Sequence, residues 1–384
     1  MRGPAVQPIV IAAGGTGGHF FPAEALAAEL VRRGRRIALI TDARSGGLTS
    51  AVFEGRERFV IAGAGIVGRG AARAAAAAIA LAAGTMQARR ILARLDAAAV
   101  VGFGGYPCVA PVLAARLLRR CPRIVLHEQN AVLGRANRLL ARHADLLALS
   151  YAETTGVPET ARTELTGNPV RPSIVARPYS VPTADAPLRL LVLGGSLGAR
   201  VLSDVVPAAL AMLPADLRAR LRVVQQCRRE DLARVQEAYA GAGIAAELAA
   251  FFDDVPERLA AAQLVIARAG ASTVAELAVV GRPAILVPLP GAIDDHQSAN
   301  ARALAAWTMA QSEFSPAALA ARIERLSDDP TALATAAEAA AAQGRPDAAV
   351  RLADAIEGKW GPGPTGPSGS HTSARGAEPS PSLP

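Results

Sequence analysis

Two short apolar strands, each running straight into a cluster of glycines, constrain this chain more than any other feature. The first reads Ile9-Val10-Ile11-Ala12-Ala13-Gly14-Gly15-Thr16-Gly17-Gly18-His19, and the second Leu190-Leu191-Val192-Leu193-Gly194-Gly195-Ser196-Leu197-Gly198-Ala199-Arg200. A helix-like run follows each. Glycine lacks a Cβ, so the backbone can approach a ligand closely. The N–H groups at the start of the following helix then converge on an anion. Two such units imply two similar α/β halves, each able to hold a phosphate, with a cleft between them.

The rest of the chain fits that frame. Its 384 residues accommodate two domains. Apolar strands at 7–13, 36–41, 98–102 and 123–126 alternate with helical patterns at 22–33, 109–118 and 137–144. Such alternation is the sequence form of a doubly wound parallel sheet. Asn168-Pro169-Val170-Arg171-Pro172 and the Pro-rich segment 178–187 read as a linker. A second α/β series follows, with strands at 188–193, 221–225, 264–267 and 284–287. The expected division is a first domain over 1–171, a second over 172–345, a helix within 346–357 returning to the first domain, and a disordered tail over 358–384.

Charge and cysteine usage narrow the function classes. Net charge is +8, and Lys359 is the only lysine, so the basic surface is guanidinium and suits phosphates or anionic lipid headgroups. No zinc-finger spacing, RNA-recognition aromatic motif or helix-turn-helix accompanies that charge, so nucleic acid is not an expected partner. Cys108, Cys121 and Cys227 are scattered with no CxxC, which fits a reducing compartment. The apolar stretch 71–84 is Ala-dominated, interrupted by Arg73 and too short to span a bilayer, and no cleavable signal peptide is expected.

The motifs carry the chemistry. A dinucleotide fingerprint counted from Gly15 fails at Phe20, and no lysine follows the glycines as a Walker loop requires; Asp42 is only a weak pointer to NAD. His19 reads either as a general base or as a helix-capping residue. His127-Glu128-Gln129-Asn130 follows a strand, where open α/β sheets bind ligands, although Glu128 and Asn130 could equally cap the next helix. The glycines of Gly102-Phe103-Gly104-Gly105-Tyr106 either shape a cleft floor or make a tight turn. In the second half, the loop around Ser196 suits a diphosphate. Glu276, on a helix opening near Ser272, suits two vicinal ribose hydroxyls or forms a capping box with Thr273. Asp294-Asp295-His296-Gln297 matches no metal-ligand spacing and reads as a polar sugar-binding edge.

As an ordered set, GGTGGH at 14–19, GFGGYP at 102–107, HEQN at 127–130, TGNPVR at 166–171, GGSLGAR at 194–200, FFDD at 251–254, RAGASTVAE at 268–276 and DDHQSAN at 294–300 resemble the MurG family of bacterial peptidoglycan glycosyltransferases. The resemblance implies the GT-B fold, two Rossmann-like doubly wound parallel-sheet domains facing across a cleft. It implies inverting transfer of N-acetylglucosamine (GlcNAc) from UDP-GlcNAc to the C4 hydroxyl of the muramoyl sugar of lipid I, giving lipid II, without metal or other cofactor. It places such a protein peripherally on the cytoplasmic face of the bacterial inner membrane, on an anionic membrane surface, with cell-wall synthesis and division proteins as further partners.

Carried onto this chain, the resemblance gives Ser196 and its loop the donor diphosphate, Glu276 the ribose and Phe252 backbone contacts to uracil. Ala271, Gln297 and Asn130 take the sugar hydroxyls, Ser272, Thr273, Val274 and Ala275 complete the substrate-binding run, and Arg171 helps hold the nucleotide sugar. Thr16, Gly17 and Gly18 line the reaction centre, with His19 as candidate base. The membrane element would lie in 66–92, with Ile79, Leu81 and Met86 among Arg69, Arg73, Arg89 and Arg90. Two departures stand out: Gln225-Gln226-Cys227-Arg228-Arg229 replaces a common His-Gln loop, and Phe252 stands where Ile is common. The alternatives are another UDP-sugar enzyme on the same scaffold, such as a UDP-GlcNAc 2-epimerase, or a non-catalytic nucleotide-sugar sensor.

Overall fold

The computed structural model describes residues 7–14, 17–43, 50–62, 71–183, 186–195 and 198–358. The first sheet contains β1 (Ile9–Ala12), β2 (Ile37–Asp42), β3 (Glu57–Ile61), β4 (Ala99–Gly102), β5 (Arg123–Glu128), β6 (Leu146–Leu149) and β7 (Thr163–Leu165). The second contains β8 (Leu188–Leu193), β9 (Leu221–Gln226), β10 (Ala245–Ala249), β11 (Leu264–Ala267), β12 (Ala284–Leu286) and β13 (Trp307–Thr308). Helices α1 (Gly17–Arg32), α2 (Ala71–Leu95), α3 (Val109–Arg116) and α4 (Arg135–Leu140) cover the first sheet. Helices α5 (Arg200–Ala211), α6 (Ala215–Arg220), α7 (Leu232–Gly241), α8 (Val255–Ala261), α9 (Ala271–Val280), α10 (His296–Ala303), α11 (Pro316–Ser327) and α12 (Pro330–Ala342) belong to the second half, and α13 (Ala348–Glu357) ends the described chain.

The strand orders are β3-β2-β1-β4-β5-β6-β7 and β10-β9-β8-β11-β12-β13. Every strand pair is parallel. Each half therefore starts in mid-sheet, runs outward to one edge and returns to build the other side. The order reverses between β1 and β4 and again between β8 and β11, and a crevice opens at such a switch point beyond the carboxyl ends of the strands. Ala12 is in register with Gly102, and Leu193 with Ala267. Both glycine loops and the segments after β4 and β11 thus flank the two switch points.

Parallel strands covered on both faces must be apolar throughout, and β1 is buried along its whole length. Ile9 and Ile11 pack with α1 and α13, whereas Val10 and Ala12 pack with α2 and α3. Leu352, Ala353, Ala355 and Ile356 of α13 share the first domain's core with Leu26 and Leu30 of α1. Arg33 fixes the same junction by donating to Asp354 Oδ1 at 2.7 Å and Glu357 Oε2 at 2.9 Å. The connection between the sheets is held by Arg282, whose buried guanidinium donates to the carbonyls of Arg177 and Pro178 as well as to those of Leu259 and Ala260.

Helix α1 begins at Gly17 and carries Pro22 inside it, rather than starting at that proline. Pro22 is the sixth residue of the helix, so one main-chain bond, the one its N–H would give to the carbonyl four residues earlier, is lost near the amino end. The disordered tail expected from 358 onward lies, apart from Gly358, outside the described residues.

Candidate active site at the two switch points

The first switch point is built by the ends of β1, β4 and β5. His19 sits in the first turn of α1, directly after Gly17 and Gly18, with its ring half-buried; Thr16 lies outside the described residues. Its ring packs against the loop after β4, where Gly104 and Gly105 have φ of +74° and +66°. A Cβ on Gly105 would stand 3.4 Å from His19 Nε2. These two glycines therefore permit both a left-handed turn and the close approach of the imidazole.

From β5 comes a connected set of hydrogen bonds. His19 Nδ1 lies 3.1 Å from Gln129 Oε1, Gln129 Nε2 donates to Phe103 O at 2.9 Å, and His127 Nε2 lies 2.9 Å from Gly167 O. Burial pulls the His127 pKa down to about 4, so this ring is neutral at ordinary pH. Glu128 is not a helix cap in the simple sense, since the N-cap of α4 is Gly134. Its Oε1 accepts from Asn130 N at 3.0 Å and Asn130 Nδ2 at 2.9 Å, and its Oε2 accepts from Gly134 N and Asn137 Nδ2 at 2.9 Å each. One carboxylate thus organises the whole turn and aims Asn130.

The second switch point has the same plan. Gly194 leads out of β8, and a Cβ there would meet Ala199 N at 2.5 Å, so only glycine lets the loop fold back onto the start of α5. Ser196 lies outside the described residues. Ala271, Ser272, Thr273, Val274, Ala275 and Glu276 form the opening turns of α9. Gly270, not Thr273, is the N-cap, with no side-chain cap bond. The capping-box alternative therefore does not form.

Glu276 instead receives Arg171 Nε at 3.2 Å and Nη2 at 2.9 Å, both on Oε1. Oε2 has no protein hydrogen bond among the described residues. Burial raises the Glu276 pKa, and Arg171 opposes that rise. Arg171 also lies over the Phe21 ring of α1, 5.5 Å from its centroid. Phe252 is buried beneath the Arg258 guanidinium, 4.0 Å from its ring centroid. That packing leaves main-chain atoms, not the ring, as what position 252 can offer. Gln297 in α10 accepts from Leu289 N through Oε1 at 3.0 Å.

The two halves meet through residues whose partners the sequence did not reveal. Asn300 of α10, fully buried, accepts from Ala131 N through Oδ1 at 2.9 Å and donates through Nδ2 to Asn130 Oδ1 at 3.1 Å. Its Nδ2 also reaches Ala269 O at 3.2 Å. Asn168 donates to Ala271 O at 3.3 Å. Asp294, at φ +54°, faces Arg135 and Arg138 of α4, each at 3.6 Å. Asn300, Gln129 and His127 all stood inside recognised motifs, but sequence showed them only as polar residues at strand ends. Among the described residues, no group of His, Cys, Asp or Glu is placed to hold a metal ion.

Comparison with known proteins adds to this geometry. Residues 9–148 match the glycosyltransferase family 28 N-terminal domain and residues 189–352 the family 28 C-terminal domain. The chain is 63% identical over 363 residues to the UDP-N-acetylglucosamine--N-acetylmuramyl-(pentapeptide) pyrophosphoryl-undecaprenol N-acetylglucosamine transferase of Granulibacter bethesdensis, covering 93% of this chain and 94% of the relative. It is 56% identical to the protein of the same description from Acidiphilium cryptum, covering 93% and 98%. Among solved structures, Acinetobacter baumannii MurG superposes with a TM-score of 0.75 at 31% identity, covering 92% of this chain and 99% of that one. A structure described as a UDP-N-acetylglucosamine 2-epimerase from Listeria monocytogenes superposes with a TM-score of 0.63 at 15% identity, covering 92% and 97%, a likeness of fold alone.

Proposed function

The chain belongs to the MurG family of family 28 glycosyltransferases, and on that premise we propose that it transfers N-acetylglucosamine from UDP-GlcNAc to undecaprenyl-pyrophosphoryl-MurNAc-pentapeptide, lipid I, producing lipid II for peptidoglycan. The observation that carries this reading is the meeting of the two halves: Arg171 holds Glu276, and Asn300 holds Asn130, so motifs from the first and the second half come together.

In this reading the diphosphate of the donor rests on the loop 194–199 and the start of α5, where main-chain N–H groups and the helix dipole meet its charge. The ribose hydroxyls donate to Glu276, whose Oε2 is open to accept. His19 Nε2 takes the proton from the muramoyl C4 hydroxyl as that oxygen forms a bond to the anomeric carbon. The anomeric C–O bond to the diphosphate breaks on the opposite face, UDP leaves with the bonding pair, and the α-linked donor gives a β-glycoside. With leaving-group charge met by the protein, positioning and one base supply what remains.

Membrane docking belongs to the same proposal. Helix α2 exposes Ile79 and Met86, and Leu117, whose carbonyl accepts from Arg89 of that helix, is exposed as well. Arg90 and Arg94 are exposed on the same helix. Arg69 and the Arg73 side chain lie outside the described residues. No described helix is long and apolar enough to cross a membrane, and an apolar patch with flanking guanidinium groups suits an anionic bilayer surface. Association with cell-wall synthesis and division proteins remains an expectation from the family.

The direct test incubates pure protein with UDP-GlcNAc and a short-chain lipid I analogue in the presence of EDTA, with mass identification of the products. The expected result is a β-linked disaccharide on the lipid and stoichiometric UDP. Release of UDP with free N-acetylmannosamine and no need for acceptor would instead identify an epimerase.

A further inference from the structure

We infer that Gln129 and His127 set the tautomer of His19, holding its proton on Nδ1 and leaving Nε2 as the lone pair that serves as base. The inference deepens the transferase reading above and rests on His19 acting as that base.

The chain of hydrogen bonds has one consistent polarity. Gly167 O can only accept, so His127 Nε2, 2.9 Å away, carries the hydrogen. His127 is fully buried and neutral, so its Nδ1 is a lone pair. Gln129 Nε2 lies 2.9 Å from Phe103 O, 3.2 Å from His127 Nδ1 and 3.4 Å from His127 O. All three are acceptors. Turning the carboxamide over would aim its oxygen at two main-chain carbonyls and a ring lone pair, so the amide nitrogen must occupy that side. Gln129 Oε1 is then fixed 3.1 Å from His19 Nδ1. An amide oxygen only accepts, so the His19 proton sits on Nδ1. Nε2 has no hydrogen-bond partner among the described residues.

Gln129 is itself 1% exposed, so no solvent competes for its amide. It touches His19 rather than the reacting atoms, which makes it a positioning residue. The relay also ends on Gly167, in the connection that leads to Asn168 and Arg171. The base and the interdomain connection are thus tied to one hydrogen-bonded line.

The experiment uses the full chain with 15N-labelled histidine rings. Two-bond proton–nitrogen correlations are recorded above the His titration range, and the His19 signals are assigned by their loss in His19→Asn. The expected spectrum has a protonated Nδ1 and a lone-pair Nε2. Gln129→Met keeps the side-chain volume and removes the amide; kcat should fall about ten- to a hundredfold, with KM for UDP-GlcNAc unchanged and the Nδ1–H signature lost. A merely structural role would not move the tautomer. A wild-type His19 protonated on Nε2, in protein that forms disaccharide, overturns the inference and leaves the transferase reading standing. Wild-type kcat in a folded Gln129→Met protein also overturns it. An Nδ1–H spectrum in protein that forms no disaccharide keeps the tautomer and removes the transferase reading. If Gln129→Met does not fold, the wild-type spectrum alone decides.

Discussion

Glu276 is a buried carboxylate balanced between burial, which raises its pKa, and Arg171, which lowers it, with burial prevailing. In the proposed reading, the form that accepts from ribose is the ionised one. As pH falls, that form is therefore lost at a higher pH than an ordinary carboxylate would require. KM for UDP-GlcNAc should rise on acidification starting above the usual carboxylate range, and in Glu276→Gln it should be high and independent of pH there. Hydrogen bonds to a charged group are worth about 1.5–3 kcal/mol, so calorimetric affinity for UDP should drop on the order of ten- to a hundredfold. Donor affinity matching the wild type would remove the ribose role. At Gly105 the sign is equally clear: φ of +66° and the 3.4 Å approach to His19 Nε2 both oppose a side chain. Gly105→Ala should lower kcat while leaving UDP affinity unchanged, measured by steady-state kinetics and calorimetry. That His19 and Glu276 stand on helices opening after a strand was legible in the sequence, because each lies in a recognisable strand-to-helix pattern. That Gln129 orients one and Arg171 neutralises the other was not, because those pairs span 110 and 105 residues and exist only in the fold.

Among the elements, α13 shows how a terminal segment can belong to a distant domain. Leu352 is fully buried in the first domain's core although it follows the entire second half in sequence. Its truncation in Leu352→Ala should cost about 2–5 kcal/mol, read as a lowered denaturation midpoint. Beneath that junction, Glu29 receives Arg32 and Arg33, and these partners hold its pKa below the usual value. A lowered folded-state pKa means the stabilisation is present above the unfolded-state value of 4.5 and is lost as pH falls through the folded one. Glu29→Gln should therefore be less stable than the wild type near neutrality and converge with it in acid, checked by urea melts across pH. The central strands were legible because β1 and β11 are continuous apolar runs and β8 is apolar apart from Arg189. The edge strands β3 and β10 were not, because they mix polar and exposed positions. Strand β6 is Leu-Leu-Ala-Leu, with no β-branched residue, so its apolar character does not separate strand from helix.

For the whole molecule, two kinds of contact join the halves across the cleft, and their magnitudes differ. The Asp294 pairs with Arg135 and Arg138 are 3.6 Å long and lie on largely exposed arginines, and such pairs contribute about 0–1 kcal/mol. Asn300 is buried and satisfies Ala131 N, so its loss leaves an unpartnered donor worth about 1–3 kcal/mol. Asn300→Ala should therefore broaden the interdomain distribution seen by solution scattering and reduce kcat/KM, whereas Asp294→Ala should change scattering little and lose even that effect at high salt. The two-domain α/β plan was legible from the paired glycine loops and the alternation of strands and helices. The strand order, and with it the pair of switch points, was not, because it is set by packing rather than by any local pattern.

The most direct single measurement is a crystal structure of the full chain soaked with UDP. The expected density places the diphosphate on the loop 194–199 and the ribose hydroxyls on Glu276 Oε2. Density for the nucleotide on the loop 14–19 instead, with Glu276 still bound only to Arg171, would contradict the assignment of donor and acceptor to their two halves.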